Sequence, residues 1–507
     1  MTMLNRGDVV DLLGDQLVPQ FDAERNRLNT IDDWYHWRQD DPPLPRGATQ
    51  EHKRLVELSK TPWLNLVVTT IAQAMFVNGY RSPEVPDMST PWRTWRANDF
   101  DSRQVAVHRA ALAYGYSYTT VLPGENVDGS RAVLRGVSPR AMHAVYADPV
   151  EDDWPMFAVR VFEQGGGNRH FRVYDEESVH YVSFEDGRFR YLEWREHGVG
   201  VCPVIRYANQ MDLDGSLEGE VEPFIGVASR INKTAYDRLL TQHFNSWKVR
   251  TIAGLGDFAQ DQGEADQKKM QLRQDDILVA EDHETRFGTL DETPLDGFIN
   301  AERSDVEALA AVSQTPSHNL TGQMVNLSAE ALAAARAPLT QKIAERQLAF
   351  GKSHAQMLRL AAHVEGDELS ARDVHSQVTW QDMEVRSMSQ AVDALGKASQ
   401  LLQIPPEALW TRIPGVTKSD VDEWSATAAE VDPLRSLSST LEQASEPDGM
   451  DADALKKSAD AMGVLIRSGV APMDAAERTG LAGLRFTGAV PVSLRQRETA
   501  ADTLEEK

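Results

Sequence analysis

The stretch VEPFIGVASRINKTAYDRLLTQHFNS, residues 221–246, is the part of the sequence from which the architecture can be worked out. Its apolar residues fall on one side at 100° per residue and polar residues fall on the other, which is typical of an amphipathic helix. At 1.5 Å per residue the helix would be about 39 Å long. The side chains predicted to pack along its apolar side are Phe224, Ala228, Ile231, Ala235 and Leu239.

A second helix is predicted at 296–313, after a segment of different character. That segment, 251–295, loses the helical pattern and is rich in acidic residues, and a short apolar run at 276–280 predicts a β-strand within it. The sequence therefore predicts two helices that flank a β-containing insertion.

Residues 313–329, which follow the second helix, contain no Asp, Glu, Lys or Arg. The hydroxyl of Ser328 then suits the N-cap of a long helix that runs to about residue 363. Pro338 lies inside this helix and is expected to kink it.

The chain before residue 221 changes from helical patterning to strand patterning. Helices are predicted at 62–79 and 101–113. The predicted strands cover 116–122, 132–137, 156–163, 169–174, 178–183 and 188–193. Glycine-rich and acidic turn signals separate the later strands, with no helix between them, so an antiparallel meander is expected. The fold class is therefore α+β rather than doubly wound.

Composition excludes several classes of function. The 507 residues include one cysteine, Cys202, so an intrachain disulfide and a multi-cysteine zinc site are ruled out. The first residues lack the apolar core of a signal peptide, and no run approaches 18 apolar residues, so we expect no membrane span. The formal net charge of −25 argues against a broad basic patch that grips nucleic acid.

Motifs for catalysis are nearly absent. Gly351-Lys352-Ser353 has Arg346 where a P-loop needs its first glycine, and HExxH, CxxC and GxSxG do not occur. The glycines at 165–167 predict a hairpin turn, and Cys202 predicts a small buried residue. We therefore predict no catalytic, cofactor-binding or metal-binding residue. The acidic clusters at 148–153 and 212–222 keep open the alternative of a metal-dependent hydrolase.

Several runs of residues, taken in their order along the chain, resemble one protein family. They are YGYSY at 114–118, SPR at 138–140, EVEPFI at 220–225 continuing to KVR at 248–250, TP at 315–316 with LTG at 320–322 and SAEAL at 328–332, and SGVAP at 468–472 with GL at 480–481. In these runs the chain resembles the portal proteins of tailed double-stranded DNA phages, in particular the siphovirus-type portals of actinobacteriophages.

The resemblance implies a ring, usually of twelve subunits, at one vertex of the capsid. Mapped onto this sequence, it implies a wing at 1–220, stem helices at 221–246 and 296–313 with a clip at 247–295 between them, a tunnel loop at 314–327, a long kinked helix at 328–375, a helical crown at 376–486 and a tail at 487–507. No enzymatic activity is implied, because the motor that hydrolyses ATP is a separate protein.

In this interpretation the tunnel loop lies nearest to the DNA. Its candidate DNA-facing residues are Gln314, Thr315, His318, Asn319, Thr321, Gly322, Gln323 and Asn326. Without formal charge they would let the duplex slide, because each contact between a lysine and a phosphate adds affinity. The same resemblance implies packaging and ejection of the genome through the channel.

The partners implied are double-stranded DNA, the terminase large subunit, a head-completion or adaptor protein, and the major capsid and scaffolding proteins. The location implied is the virion, after assembly in the host cytoplasm. The main alternative is another head or adaptor protein of a phage. A sequence-specific DNA-binding protein would need a basic recognition helix, and the sequence contains none.

Overall fold

In the computed structural model two compact units can be distinguished, residues 1–415 and residues 416–507. The described residues are 4–40, 49–82, 89–126, 128–246, 250–253, 286–289, 293–323, 328–381, 388–410, 418–431 and 470–481, with a few more between 413 and 468. The strand predicted at 276–280 lies outside them.

Helices and strands alternate in groups along the chain. The helices are α1 Arg6–Leu12, α2 Val18–Tyr35, α3 Gln50–Ser59, α4 Trp63–Ala72, α5 Ser89–Ala97, α6 Phe100–Tyr114, α7 Ile225–Asn245, α8 Asp296–Val312, α9 Ser317–Thr321, α10 Ala329–Glu365, α11 Glu368–Arg372, α12 Met388–Leu402, α13 Pro406–Trp410, α14 Lys418–Val431 and α15 Pro472–Arg478. A π-helical turn, Leu13–Leu17, joins α1 to α2, and a 3₁₀ turn, Glu222–Phe224, precedes α7.

The strands are β1 Val77–Arg81, β2 Tyr116–Pro123, β3 Ala132–Val137, β4 Met142–Val145, β5 Phe157–Glu163, β6 Arg169–Tyr174, β7 Ser178–Glu185, β8 Arg188–Glu196, β9 Val204–Ala208, β10 Gln210–Met211, β11 Leu217–Glu218, β12 Arg250–Ala253, β13 Arg286–Thr289 and β14 Gln377–Trp380. The mixture of helices and antiparallel strands confirms the α+β class.

The five strands β4 to β8 form an antiparallel sheet in sequence order, which confirms the predicted meander. The hairpin between β5 and β6 closes through Gly165, Gly166 and Gly167, each with a positive φ that favours glycine. The amide of Gln164 donates to the carbonyl of Asn168 across this turn at 3.0 Å. The three glycines are therefore a hairpin turn, as predicted.

A second sheet of three strands, with β2 between β3 and β9, packs on this meander. Side chains of β2 alternate between two cores: Tyr116 and Tyr118 face Ala158 and Tyr174 of the meander, whereas Val121 belongs to the helical core. This alternation follows from the period of two in a strand. The second sheet is therefore covered on both faces.

The N-terminal helices cover the outer face of the meander. One buried cluster contains Val9, Leu13, Leu17 and Phe21 of α1, the π-helical turn and α2 together with Val159, Val161, Phe171, Val173 and Val182 of the sheet. The layers therefore follow in the order N-terminal helices, five-stranded sheet, three-stranded sheet and helical core.

The helix predicted at 62–79 was wrong in its second half. Helix α4 ends at Ala72, and β1 pairs instead with β14, about 300 residues further along the chain. The side chain of Gln104 holds the start of β1, because its Oε1 accepts from the amide of Val77 at 2.8 Å and its Nε2 donates to the carbonyl of Val77 at 3.1 Å. Strand β14, from the segment 376–486, therefore pairs with a strand from the segment 1–220.

Helix α10 is the longest element, with 37 residues. Ser328 caps it as predicted, since its Oγ accepts from the amide of Ala331 at 3.2 Å, and Gly366 ends it with φ of 86°. Burial along it changes at Pro338: residues 333–338 are exposed, whereas Leu339 is buried. Within the described ranges, no helix is both long enough and apolar enough to cross a bilayer.

Candidate functional site: the stem helices and the segment after them

Helices α7 and α8 form an antiparallel pair. Arg230 forms an ion pair with Asp305 at 2.7 Å, and Arg238 forms one with Glu302 at 2.9 Å. Near the far end, the side-chain amide of Asn245 donates to the carbonyl of Thr293 at 2.8 Å. As the residue number rises along α7, the number of its partner in or near α8 falls. The two helices therefore lie side by side, antiparallel, over most of their length.

A β-ribbon continues this helical hairpin. Strands β12 and β13 pair antiparallel, with Arg250 opposite Thr289 and Ala253 opposite Arg286. Both strands lie within the segment 247–295 that was predicted as the clip, one near each end of it.

Three of the five side chains predicted to pack along the stem are buried within the subunit. Ala228 and Ile231 are buried in the same core as Val306 and Leu309 of α8, and Ala235 is buried as well. Phe224 and Leu239, the other two predicted residues, are half-buried. The apolar side of α7 meets the chain's own α8 and the helices α3 and α4.

Other apolar side chains of the stem remain exposed on the single subunit. They are Phe244, Ile299 and Val312, which are 57%, 50% and 54% exposed. Exposed large apolar side chains of this kind are available for contact with another chain. The sequence reading of the stem did not separate them from the residues that pack internally.

The segment after α8 is more ordered than a plain loop. The short helix α9 occupies 317–321, and its Leu320 is buried. Thr315 is 3% exposed, its amide donates to the carbonyl of Ala310 at 3.0 Å, and its Oγ1 accepts from Ser313 Oγ at 3.0 Å. The prediction that Thr315 faces DNA is therefore wrong, because its side chain faces the interior of the subunit.

The other predicted loop residues divide by exposure. Gln314, Gly322 and Gln323 are exposed, and Gln314 and Gly322 have φ of 55° and 67°. His318, Asn319 and Thr321 are half-buried on α9. Asn326 lies outside the described residues.

The acidic clusters that suggested a metal site have structural roles. Asp212, Asp214 and Gly215 lie in the tight turn between β10 and β11, where the amide of Gly215 donates to the carbonyl of Asp212 at 2.9 Å. Asp148 accepts from the amides of Val150 and Glu151 in another turn. Among the residues that the structure describes, no group of His, Cys, Asp and Glu side chains could hold a metal ion.

Cys202 is buried beneath the meander, as predicted. It is 2% exposed, and its Sγ lies 3.7 Å from the carbonyl oxygen of Tyr174. Burial raises the pKa of the thiol, so the nucleophilic thiolate is disfavoured. The residue packs as a small apolar side chain.

Sequence reasoning missed a buried ion cluster at the wing-side end of the stem. Glu220 accepts from Lys342 and Arg346 of α10, and all three side chains are buried. The sequence does contain a sign of this cluster. Lys342 and Arg346 fall at helical spacing with Leu339 and Phe350, on the side of α10 that is expected to be apolar. Cations on such a side indicate a buried carboxylate partner.

Comparison with known proteins assigns the family. The family model for SPP1 Gp6-like phage portal proteins matches residues 15–434, which is most of the chain. The chain belongs to the SPP1 Gp6-like family of phage portal proteins. The stem hairpin, the ribbon at its end and the segment after α8 all lie inside the matched region.

Relatives with the same designation come from two phages of mycobacteria. The portal protein of Mycobacterium phage D29 is 25% identical over 405 residues, which cover 76% of this chain and 81% of the relative. The portal protein of Mycobacterium phage L5 is 25% identical over 377 residues, covering 70% and 75%. These matches agree with the likeness to portals of actinobacteriophages.

Solved structures with some similarity come from gene transfer agent particles. A chain of the native virion matches at 12% identity with a TM-score of 0.40, covering 74% of this chain and 99% of that one. A chain of the native particle's neck, computed with C12 symmetry, matches at 12% identity with a TM-score of 0.41, covering 72% and 96%.

Proposed function

We propose that this portal chain assembles into a closed ring, of about twelve subunits, whose central channel conducts double-stranded DNA into and out of the capsid. The observation that carries the proposal is family membership over residues 15–434. A head-to-tail contact between identical subunits closes into a ring when its rotation divides a full turn. Phe244, Ile299 and Val312 are exposed apolar side chains of the stem that such a contact would cover.

The charges of the stem suit a channel that lets DNA slide. Helices α7 and α8 together carry four Lys or Arg and five Asp or Glu. Arg230 and Arg238 pair with carboxylates of the neighbouring helix, and Lys233 pairs with Asp237 of its own helix. A paired cation binds phosphate less strongly, because its carboxylate competes for the same charge.

The segment after α8 supports the same proposal. Gln314 and Gln323 are exposed and neutral, and Asn319 is half-buried and neutral. Amide side chains form hydrogen bonds that exchange with water at little cost, whereas ammonium groups bind phosphate through counterion release. We assign these three residues to the surface that DNA passes.

The remaining parts of the proposal concern partners. The ring would occupy the portal vertex of the virion, together with the major capsid and scaffolding proteins during assembly in the host cytoplasm. It would bind the terminase large subunit during packaging and a head-completion or adaptor protein afterwards. We propose that ATP hydrolysis belongs to the terminase, and that this chain has no catalytic activity.

The double variant Asn319→Lys plus Gln323→Lys tests the channel assignment. In a ring of twelve it places 24 positive charges around the duplex, so we expect packaging to slow at least about tenfold through added phosphate contacts. The measurement is the amount of DNA protected inside proheads in a packaging assay with time. Electron microscopy of the same preparation checks that rings still form.

A neutral double variant, Asn319→Ser plus Gln323→Ser, is the matched control and should package as the wild type does. Raising the salt concentration should relieve the lysine variant, because counterion release weakens with salt. Equal packaging by both double variants, in intact rings, would remove these residues from the channel surface.

A further inference from the structure

Lys342 lies where α10 meets the wing-side ends of both stem helices. Its Nζ donates to the carboxylate of Glu220, just before α7, and to the carbonyl oxygen of Ser313, just after α8, at 3.1 Å. The same Nζ lies 5.9 Å from the ring centroid of Phe224, at the start of α7. The side chain is 7% exposed, so these contacts are made away from water.

The carboxylate that receives Lys342 is held in a fixed position. The amide of Glu220 donates to the carbonyl of Leu112 at 2.7 Å. The preceding residue, Gly219, passes so close to α6 that a Cβ there would lie 2.6 Å from the carbonyl oxygen of Ala113. Only glycine allows this approach, and it fixes Glu220 against the wing.

A second cation of the same helix provides a natural comparison. Arg346, one turn after Lys342, donates to the other carboxylate oxygen of Glu220 at 3.2 Å and to Oε1 of Gln210 at 3.2 Å. Arg346 is 4% exposed, and the structure shows no bond from it to Ser313. Each cation is buried and paired with Glu220. Lys342 also bonds to Ser313, whereas Arg346 bonds to Gln210 and forms an ion pair with Glu345 at 3.1 Å.

We propose that Lys342 is a positioning residue that fixes the ends of both stem helices, and the start of the segment after α8, to the packed part of α10. Lys342 lies within the first packed turn of that helix, since residues 333–338 are exposed and Leu339 is buried. Through Lys342, a displacement of the segment after α8 is transmitted to α7 and α10. The inference concerns the single subunit and stands whether or not the ring forms.

Hydrogen–deuterium exchange of the full chain, as wild type, Lys342→Met and Arg346→Met, tests this role. Both variants remove one buried cation and leave the other paired with Glu220. In Lys342→Met we expect exchange of the amides in 313–323 to rise at least about tenfold, because the carbonyl of Ser313 loses its donor. In Arg346→Met it should stay within about twofold of wild type.

Strands β2 and β9, in the wing core, provide the internal reference and should exchange alike in all three proteins. If both cations only stabilised the subunit in general, exchange of the amides in 313–323 would rise equally in both variants. That result would overturn the proposal. If Lys342→Met also raises exchange in β2 and β9, the role of Lys342 is tested with Lys342→Arg instead. This variant keeps a cationic donor, so protection of 313–323 should return, and exchange as fast as in Lys342→Met would overturn the proposal.

Discussion

At the scale of single residues, His108 of α6 and His354 of α10 form a buried pair with Nε2 atoms 2.8 Å apart. Nδ1 of His108 lies 3.2 Å from the carbonyl oxygen of Met75, and Nδ1 of His354 lies 2.9 Å from the hydroxyl of Tyr207. Because a carbonyl only accepts, His108 carries its proton on Nδ1. His354 therefore donates from Nε2 and accepts from Tyr207, so both rings are neutral.

The surroundings of the pair oppose protonation. Burial lowers the pKa of His108 to about 4, from 6.5. Burial, followed by the charge that His108 would carry, lowers the pKa of His354 well below 6.5. A group whose pKa is depressed by folding contributes full stability above its unfolded pKa and loses it as pH falls toward the folded value. The pair therefore favours the folded wing above about pH 6.5 and opposes it in acid.

We predict that replacing His354 reduces the acid sensitivity of the wing. At pH 5 a single histidine with a folded pKa of about 4 lowers the free energy of unfolding by about 2 kcal/mol relative to neutral pH. His354→Gln removes the other histidine of the pair, whose pKa is also lowered by burial, so its urea midpoint should fall less between pH 7 and pH 5 than that of the wild type. The measurement is urea unfolding followed by tryptophan fluorescence at both pH values.

Burial also lowers the pKa of His143 and His197, so the comparison needs a reference variant. His375 is exposed, so His375→Gln replaces a histidine that the fold does not bury. A His354→Gln protein with the same loss of stability between pH 7 and pH 5 as His375→Gln would contradict the neutral pair.

At the scale of elements, the stem hairpin pairs its arginines with carboxylates, and those pairs contribute little to stability. Arg230 is 56% exposed and Arg238 is 32% exposed. Ion pairs this exposed are worth about 1 kcal/mol or less. Their effect on DNA is larger than their effect on folding, since an unpaired arginine is free to bind phosphate.

We predict that Glu302→Gln plus Asp305→Asn makes assembled rings bind DNA. The double variant leaves Arg230 and Arg238 without carboxylate partners, so affinity for a short duplex at low salt should rise at least about tenfold and fall steeply as salt is added. The measurement is fluorescence anisotropy of a labelled duplex titrated with rings.

The matched control removes the same two negative charges from the turn between β7 and β8, as Glu185→Gln plus Asp186→Asn. Both residues are exposed on the wing, and Asp186 already has a positive φ that asparagine tolerates. Equal gains in DNA affinity for the two double variants would assign the effect to net charge and not to the stem.

Comparison of the predicted with the observed strands shows which elements local sequence patterns can predict. Strands β5 to β8 of the meander were predicted closely, because period-two patterning and local turn residues are both encoded within a few residues. Strand β4 was not predicted. Strand β1 was missed, since its partner β14 is about 300 residues away. Burial of Thr315 was missed for a related reason, as it depends on a hydrogen bond back into the last turn of α8.

The candidate site was predicted in outline and not in detail. The two helices predicted at 221–246 and 296–313 are present as α7 and α8. The cluster of Glu220, Lys342 and Arg346 brings together residues more than 120 positions apart. Pairing over that distance is a property of the tertiary fold, and only the misplaced cations of α10 hinted at it.

At the scale of the whole molecule, the charge of −25 has a consequence for assembly. Twelve copies would carry a formal charge of about −300, which repels both neighbouring subunits and the phosphates of DNA before ions screen it. Ring contacts must therefore come from buried apolar surface and local ion pairs. Such a ring should be more stable as salt rises toward physiological strength.

The central claim is that this portal chain closes into a ring with a channel, and electron microscopy of the purified protein at near-physiological salt tests it most directly. Class averages viewed along the particle axis should show rings with a central hole and about twelve-fold symmetry. Compact particles without a hole, both for the protein alone and for the protein coexpressed with its capsid and scaffolding partners, would contradict the claim.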